Sequence, residues 1–159
     1  MPKPLWAPWR LEYIEHADES GRCVFCDPEE DLILQRGDAA FVLLNRFPYT
    51  SGHALVTPYR HVGTFGELRD GEALEIHRLA AATLTALAAE YAPEGYNLGW
   101  NLGRVAGAGI VDHVHLHIVP RWAGDTNFMP VLADLRVIPE ALAQTSSRLR
   151  ARFGADADS

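Results

Sequence analysis

Short strand-like segments, some apolar throughout and some alternating between apolar and polar residues, lie before and after one long helical stretch. The segments DLILQ (31–35), AAFVLLN (39–45) and GHALVTP (52–58) are separated by the turn signals RGD and TSG, so each is predicted to be a strand. Two further strands are predicted in GYNLGWNLG (95–103), which runs into a glycine-rich loop, and in HVHLHIVP (113–120), which Pro120 closes.

The long helical pattern separates the two groups of strands. Apolar residues recur at helical spacing from Leu74 to Tyr91, with Asp70 as the predicted N-cap, Glu72 in the first turn and Pro93 ending the helix. A last helix is predicted over 139–152, with a proline in its first turn and arginines near its end. This order of elements indicates an α+β fold with a mostly antiparallel sheet, one long helix and a C-terminal helix.

Composition and charge limit the class of protein. The chain has 159 residues, of which 48% are hydrophobic and 22% charged, so a single domain is expected over 1–153, with an N-terminal arm at 1–30 and a disordered tail at 154–159. The apolar runs are too short for a membrane span or a signal peptide, so the expected location is the cytoplasm, without a membrane partner. A net charge of −7 argues against a nucleic-acid partner. A nucleotide substrate stays open, because a small anion needs only a local cluster of donors.

Three histidines stand two residues apart in HVHLHIVP. Alternate side chains of a strand share a face, so His113, His115 and His117 are expected on one side, about 7 Å apart, with the aliphatic residues between them facing the core. A merely solvated face has no need of three imidazoles, whereas imidazole can act as a nucleophile, a general acid or a metal ligand near neutral pH. The residues themselves leave open both a metal site and a nucleophile that attacks phosphorus.

Cys23 and Cys26 form a C-x-x-C motif near the start of the chain. In a reducing compartment this motif indicates metal or redox chemistry rather than a structural disulfide. A thioredoxin-like motif would sit in a βαβ unit, and none is predicted around these cysteines.

The segment HVHLHIV matches the signature of the histidine triad (HIT) family, and the chain resembles this family over nearly its whole length. The segment 41–62, FVLLNRFPYTSGHALVTPYRHV, resembles the central hairpin of the family, and 101–113, NLGRVAGAGIVDH, resembles its phosphate loop. The segments WAPWR (6–10) and RWAGDTNFMPVL (121–132) resemble a bacterial branch that includes diadenosine tetraphosphate phosphorylases and fragile-histidine-triad-like hydrolases. The resemblance implies a HIT-like fold.

The resemblance also implies roles for individual residues. His115 would be the nucleophile that forms a nucleotidyl-histidine intermediate, His117 would face the same phosphate, and His53 would join the polar network behind them. The implied nucleotide-binding residues are Asn45 at the ribose and Asn101, Gly107, Gly109 and Ile110 at the phosphates. Several branches carry Gln, Ser or Thr at the end of this loop. Gly109 and Ile110 leave only backbone donors there, so the identity of the second acceptor stays open.

Many members of the family bind zinc through positions that match Cys23, Cys26, His61 and His113. Such a Cys₂His₂ set is closed and tetrahedral, as in structural zinc sites. The resemblance therefore implies a structural zinc ion held in part by the first triad histidine, with the other two histidines left for the phosphate.

The implied activity is cleavage of dinucleoside polyphosphates, such as diadenosine tetraphosphate, completed by water or by inorganic phosphate, in a homodimer. Three alternatives remain: a nucleoside phosphoramidase, a nucleotide-binding regulatory protein with slow turnover, and a zinc-stabilised interaction module. The candidate cations near the pocket are Arg46, Arg104 and Arg121, and the candidate interface or pocket aromatics are Trp6, Trp9 and Trp122.

Overall fold

The computed structural model describes residues 22–110, 112–125 and 140–155. In these residues five antiparallel strands form one sheet in the order β1-β2-β3-β5-β4. The strands are β1 Ile33–Arg36, β2 Ala40–Leu44, β3 Ala54–Pro58, β4 Gly95–Trp100 and β5 Leu116–Arg121, and the helices are α1 Asp70–Tyr91 and α2 Leu142–Ala155. The predicted α+β class with a mostly antiparallel sheet, a long helix and a C-terminal helix is confirmed.

A carboxylate from α1 fixes the turn between β1 and β2. The side chain of Glu75 accepts hydrogen bonds from the backbone N–H groups of Asp38 (2.8 Å), Ala39 and Ala40 (3.0 Å). A Cβ added at Gly37 would lie 2.5 Å from the same carboxylate, so a larger residue there would force the Glu75 side chain to move. The first hairpin is therefore locked to the long helix.

Helix α1 begins one residue earlier than the predicted cap would require. Arg69 is the N-cap and Asp70 is the first helical residue, because the Glu72 carboxylate accepts the N–H of Arg69 at 2.8 Å and so caps the first turn. The prediction of Asp70 as N-cap is wrong. At the other end Ala92 takes a left-handed conformation (φ 44°) directly before Pro93, as predicted for the end of this helix.

Helix α2 runs from Leu142 to Ala155 rather than over 139–152, and Pro139 lies outside the described residues. The arginines of α2 bind neighbouring elements. Arg148 and Arg152 both pair with Glu90 of α1, and Arg150 donates to the backbone oxygen of Ile33. Helix α2 continues through residues 154 and 155, which the predicted tail had included. Residues 156–159 lie outside the described part of the chain.

The sheet separates two groups of buried apolar side chains. The larger group packs between the sheet and the two helices and includes Val42, Val56, Leu87, Ile118 and Leu149. The smaller group occupies the other face and consists of Phe25, Ile33, Phe41, Leu43 and Leu55. Among the described residues, no helix has the length and apolar character that crossing a bilayer requires.

Candidate histidine and cysteine site

The three triad histidines lie on one side of the segment that leads into β5. Leu116 and Ile118 point into the core between sheet and helices, and Val114 is also buried, as the alternation predicts. The predicted strand 113–120 has the wrong limits. Its first three residues precede β5, because the N–H of Val114 donates to the backbone oxygen of Val62 (2.8 Å), which lies outside the sheet.

Pro120 lies inside β5 instead of closing it, and the strand continues to Arg121. The backbone oxygen of Pro120 accepts a hydrogen bond from Thr50 Oγ1 (2.9 Å), in the loop before β3. The pairing of β5 with β3 ends at Ile118, so the nitrogen of Pro120 faces a position where the sheet needs no N–H donor.

His115 has a defined tautomer. Its Nδ1 lies 2.9 Å from the backbone oxygen of His113, and a carbonyl oxygen can only accept, so Nδ1 carries the hydrogen. In the neutral ring the lone pair is then on Nε2. The side chain is 6% exposed, and its ring centroid lies 4.9 Å from that of His117. His115 can therefore present a neutral, nucleophilic nitrogen next to a second imidazole.

His113 faces the cysteines. Its Nε2 donates to the backbone oxygen of Pro58 at 2.8 Å, so its Nδ1 carries the lone pair. That Nδ1 lies 3.2 Å from Cys23 Sγ and 3.6 Å from Cys26 Sγ, and Cys26 Sγ lies 3.3 Å from His61 Nδ1. Burial lowers the pKa of His113, and the hydrogen bond to Pro58 partly offsets this shift.

The donor atoms of Cys23, Cys26, His61 and His113 all lie within 4.8 Å of one another. Ligand bonds of about 2.0–2.3 Å around a tetrahedral ion place the donor atoms about 3.3–3.8 Å apart, close to the separations found here. The carbonyl of Pro58 also fixes the tautomer of His113 that a metal ion needs. These residues therefore fit a zinc ion.

His53 lies behind His117. Its Nε2 is 3.0 Å from Nδ1 of His117, and its Nδ1 accepts the backbone N–H of Tyr49 at 3.0 Å. His53 is fully buried and His117 is 8% exposed. The structure thus brings together the three residues predicted to be catalytic, His53, His115 and His117.

Asn45 lies next to this group and has a contact within its own loop. Its Oδ1 accepts the N–H of Phe47 at 2.9 Å, and its Nδ2 lies 3.4–3.5 Å from the two ring nitrogens of His53. Asn45 therefore caps a turn, and its role at a ribose stays a prediction.

The glycine-rich loop joins β4 to the triad segment. Gly103 and Gly107 have positive φ angles of 85° and 90°, which non-glycine residues rarely adopt. Asn101 Nδ2 lies 3.5 Å from the backbone oxygen of Gly107. The side chain of Ile110 packs against the smaller apolar group, on the face of the sheet opposite the helices. Nucleotide contacts of Asn101, Gly107, Gly109 and Ile110 stay predictions.

That apolar group is a feature that the sequence analysis did not single out. Leu55 is paired with His117 across β3 and β5, so Leu43, Ile33 and Phe41 continue the surface on which the triad lies. Phe25 comes from the C-x-x-C motif, and its ring lies 4.8 Å from the ring of His115. The signal was the unbroken apolar run of β2, which buries both of its faces.

Two of the arginines considered for the pocket have acidic partners. Arg46 pairs with Glu29, and Arg121 binds the carboxylate of Asp125 and Asn97 Oδ1 (2.9 Å). Arg104 lies in the short helical turn Arg104–Ala106 of the glycine-rich loop. Trp122 donates its Nε1–H to the backbone oxygen of Tyr91 at 3.3 Å, while Trp6 and Trp9 lie outside the described residues.

The antiparallel sheet with a histidine cluster at β5 defines a known class of protein. Residues 28–124 match the model of the HIT domain, and the chain belongs to the HIT family. It is similar to the AP-4-A phosphorylase of Mycobacterium tuberculosis, with 34% identity over 154 residues that cover 89% of this chain and 79% of that protein.

A second relative has a name that describes a different activity, and a similar solved structure contains zinc. The adenosine 5'-monophosphoramidase of Schizosaccharomyces pombe is 35% identical over 103 residues, which cover 62% of this chain and 74% of that protein. The crystal structure of a zinc-bound histidine triad family protein from Mycobacterium smegmatis superimposes with a TM-score of 0.70 at 25% identity, covering 88% of this chain and 99% of that one.

Proposed function

We propose that this protein cleaves dinucleoside polyphosphates, such as diadenosine tetraphosphate, through a nucleotidyl-histidine intermediate on His115. The observation that carries the proposal is the contact between His115 Nδ1 and the backbone oxygen of His113, which leaves the lone pair on Nε2. The similarity to the AP-4-A phosphorylase of M. tuberculosis supports the choice of substrate.

The reaction would take place in two displacements. In the first, Nε2 of His115 forms a bond to the α-phosphorus, the bond from phosphorus to the bridging oxygen breaks, and the electron pair stays on the oxygen of the departing ATP. In the second, an oxygen of inorganic phosphate or of water bonds to phosphorus, and the electron pair of the broken N–P bond returns to Nε2. Water would lose its proton to solvent in this step. Covalent catalysis replaces one difficult displacement with two easier ones.

The surroundings of His115 suit a nucleotide. The buried apolar residues Leu43 and Leu55 support the face of the sheet on which the triad lies, and Asn45 lies beside His53. The loop with Asn101, Gly107, Gly109 and Ile110 would present backbone N–H groups to the phosphates. His117 would stabilise the charge that develops on the leaving oxygen.

The proposal includes a structural zinc ion held by Cys23, Cys26, His61 and His113. When bound, zinc would act as a cross-link between the N-terminal segment and the segment that carries the nucleophile. The donor atoms of these four residues lie close together, and the similar protein from M. smegmatis is zinc-bound.

We also propose that the protein acts as a homodimer.

The experiment that tests the function is incubation of the protein with diadenosine tetraphosphate and inorganic phosphate, followed by separation of the nucleotides. ATP with ADP identifies phosphate as the second acceptor, and ATP with AMP identifies water. Cleavage of an adenosine phosphoramidate in preference to the dinucleotide would favour the phosphoramidase alternative, to which the relative from S. pombe points. No cleavage of either substrate would contradict the proposal.

A further inference from the structure

We propose that Tyr49 is a positioning residue for His117: its backbone N–H, acting through His53, holds His117 in the tautomer that carries hydrogen on Nε2. Tyr49 also covers the pair of imidazoles with its ring. The inference deepens the proposed function, since it assigns His117 the part of a neutral hydrogen-bond donor to the departing oxygen.

The loop between β2 and β3 directs the N–H of Tyr49 inward. The loop is closed by the N–H of Asn45, which donates to the backbone oxygen of His53 (2.9 Å), and by the N–H of His53, which donates to the backbone oxygen of Thr50 (3.1 Å). Thr50 Oγ1 ties the same loop to the oxygen of Pro120 in β5. The amide of Tyr49 is therefore held against a ring that β5 and β3 fix from the other side.

The hydrogen bonds leave one consistent arrangement of protons. Because the N–H of Tyr49 donates to Nδ1 of His53 at 3.0 Å, that nitrogen carries a lone pair, and the neutral ring must carry its hydrogen on Nε2. Nε2 of His53 lies 3.0 Å from Nδ1 of His117, so Nδ1 of His117 is the acceptor. Neutral His117 then carries its own hydrogen on Nε2. The opposite tautomer of His117 would require His53 to have no hydrogen on either nitrogen.

The ring of Tyr49 supports the same pair. Its centroid lies 4.8 Å from that of His53 with an angle of 22° between the planes, and 6.4 Å from that of His117 with an angle of 25°. The two imidazole rings are tilted by 43° to each other, and contact with the Tyr49 ring limits the rotation of each imidazole. The ring thus preserves the geometry that the amide defines.

The experiment that tests the inference first is nitrogen NMR of the protein labelled with ¹⁵N-histidine, without substrate, at about pH 8, where free imidazole is neutral. We expect signals of a hydrogen-bearing Nε2 and a bare Nδ1 for both His53 and His117, and the opposite pattern for His115. A hydrogen on Nδ1 of His117 would overturn the inference. This result does not depend on turnover, so a failure of the proposed function is distinguished from a failure of this inference.

Three variants separate the amide from the ring. Tyr49→Phe keeps both, Tyr49→Ala keeps only the N–H, and Tyr49→Pro removes both. We expect the Phe variant to match the wild type and the Ala variant to keep the tautomers. The Pro variant should show mixed tautomers of His117 and a kcat lower than that of the Ala variant by about tenfold or more, since losing a donor to developing charge costs about 10²–10³-fold.

The comparison of Tyr49→Pro with Tyr49→Ala decides the role of the amide. Equal tautomers and an equal kcat in these two variants, with KM unchanged in both, would overturn it. If Tyr49→Pro does not fold, the histidine signals of the wild type still decide the tautomer. A kcat of Tyr49→Ala equal to that of Tyr49→Phe would remove the role of the ring.

Discussion

The ring of Phe25 lies 4.8 Å from the ring of His115 and 5.4 Å from the ring of His113, measured between centroids. Phe25 stands between Cys23 and Cys26 in the chain and is 3% exposed. The loop that carries the proposed metal ligands therefore places an apolar side chain directly against the proposed nucleophile.

Replacing Phe25 with alanine should destabilise the protein by about 3–5 kcal/mol, because the substitution leaves a cavity among Ile33, Phe41 and Leu55. Urea denaturation measures the loss. The matched control is Val24→Ala in the same loop. Val24 is 37% exposed, so its loss should stay within about 0.5 kcal/mol. Equal losses in the two variants would show that Phe25 is not part of the packed face.

A chelator should lower the melting temperature of the zinc-loaded wild type by about 5 °C or more, because binding to the folded state alone adds to the free energy of unfolding. Without chelator, Cys23→Ser should already melt near the temperature of the chelator-treated wild type, and the chelator should change that temperature little. The substitution should clearly lower the melting temperature but lower the activity only a little, since the proposed zinc ion is structural. Metal analysis of the purified protein accompanies the melting curves. A wild type without metal, or with a melting temperature that the chelator leaves unchanged, would remove the zinc site.

Replacing His115 with alanine should lower turnover of diadenosine tetraphosphate by about 10³-fold or more, since the nucleophile of a covalent mechanism is lost. The adenylylated protein, trapped by acid quench and detected by mass spectrometry, should disappear as well. Circular dichroism should show an unchanged fold. The control is His77→Ala, an exposed histidine on α1, which should keep full activity and the adenylylated species. An active His115→Ala protein would contradict the mechanism.

Alternation in sequence was enough to predict the arrangement of the triad, because the two-residue period of extended backbone places His113, His115 and His117 on one side. The limits of β5 were wrong, since they depend on the partners of Val114 and Pro120 in distant segments. The grouping of Cys23, Cys26, His61 and His113 came from family resemblance. Their spacing over 90 positions in the chain does not itself indicate that they meet.

The contacts of Tyr49 and Glu75 had no signal in the sequence. The N–H of Tyr49 reaches His53 because a closed loop turns it inward, and Glu75 reaches three amides because α1 packs beside the first hairpin. A tyrosine in a loop or a glutamate on a helix is most often a surface residue. Such roles follow from tertiary geometry and not from local pattern.

The pair of Arg60 and Glu72 ties the segment next to His61 to the start of α1. Nε and Nη2 of Arg60 donate to the two carboxylate oxygens at 2.8 and 2.7 Å, and the N–H of Arg69 donates to the same group. The hydrogen bond from Arg60 is the main cause that lowers the pKa of Glu72 from 4.5 to about 2, against the opposing effect of burial. Arg60 is one-third exposed, so solvent screening reduces what this shift contributes to stability.

Glu72→Gln should lower the free energy of unfolding by roughly 1–3 kcal/mol at neutral pH. Because the pKa is lower in the folded state than in the unfolded state, the charged group stabilises the protein fully above pH 4.5. That contribution is lost as the pH falls from 4.5 towards about 2. Urea denaturation at several pH values should therefore show wild type and variant converging in acid. The exposed neighbour Glu67, replaced by glutamine, should change stability by no more than about 0.5 kcal/mol. A difference between wild type and Glu72→Gln that stays constant over this pH range would show that the carboxylate charge is not the source of the stabilisation.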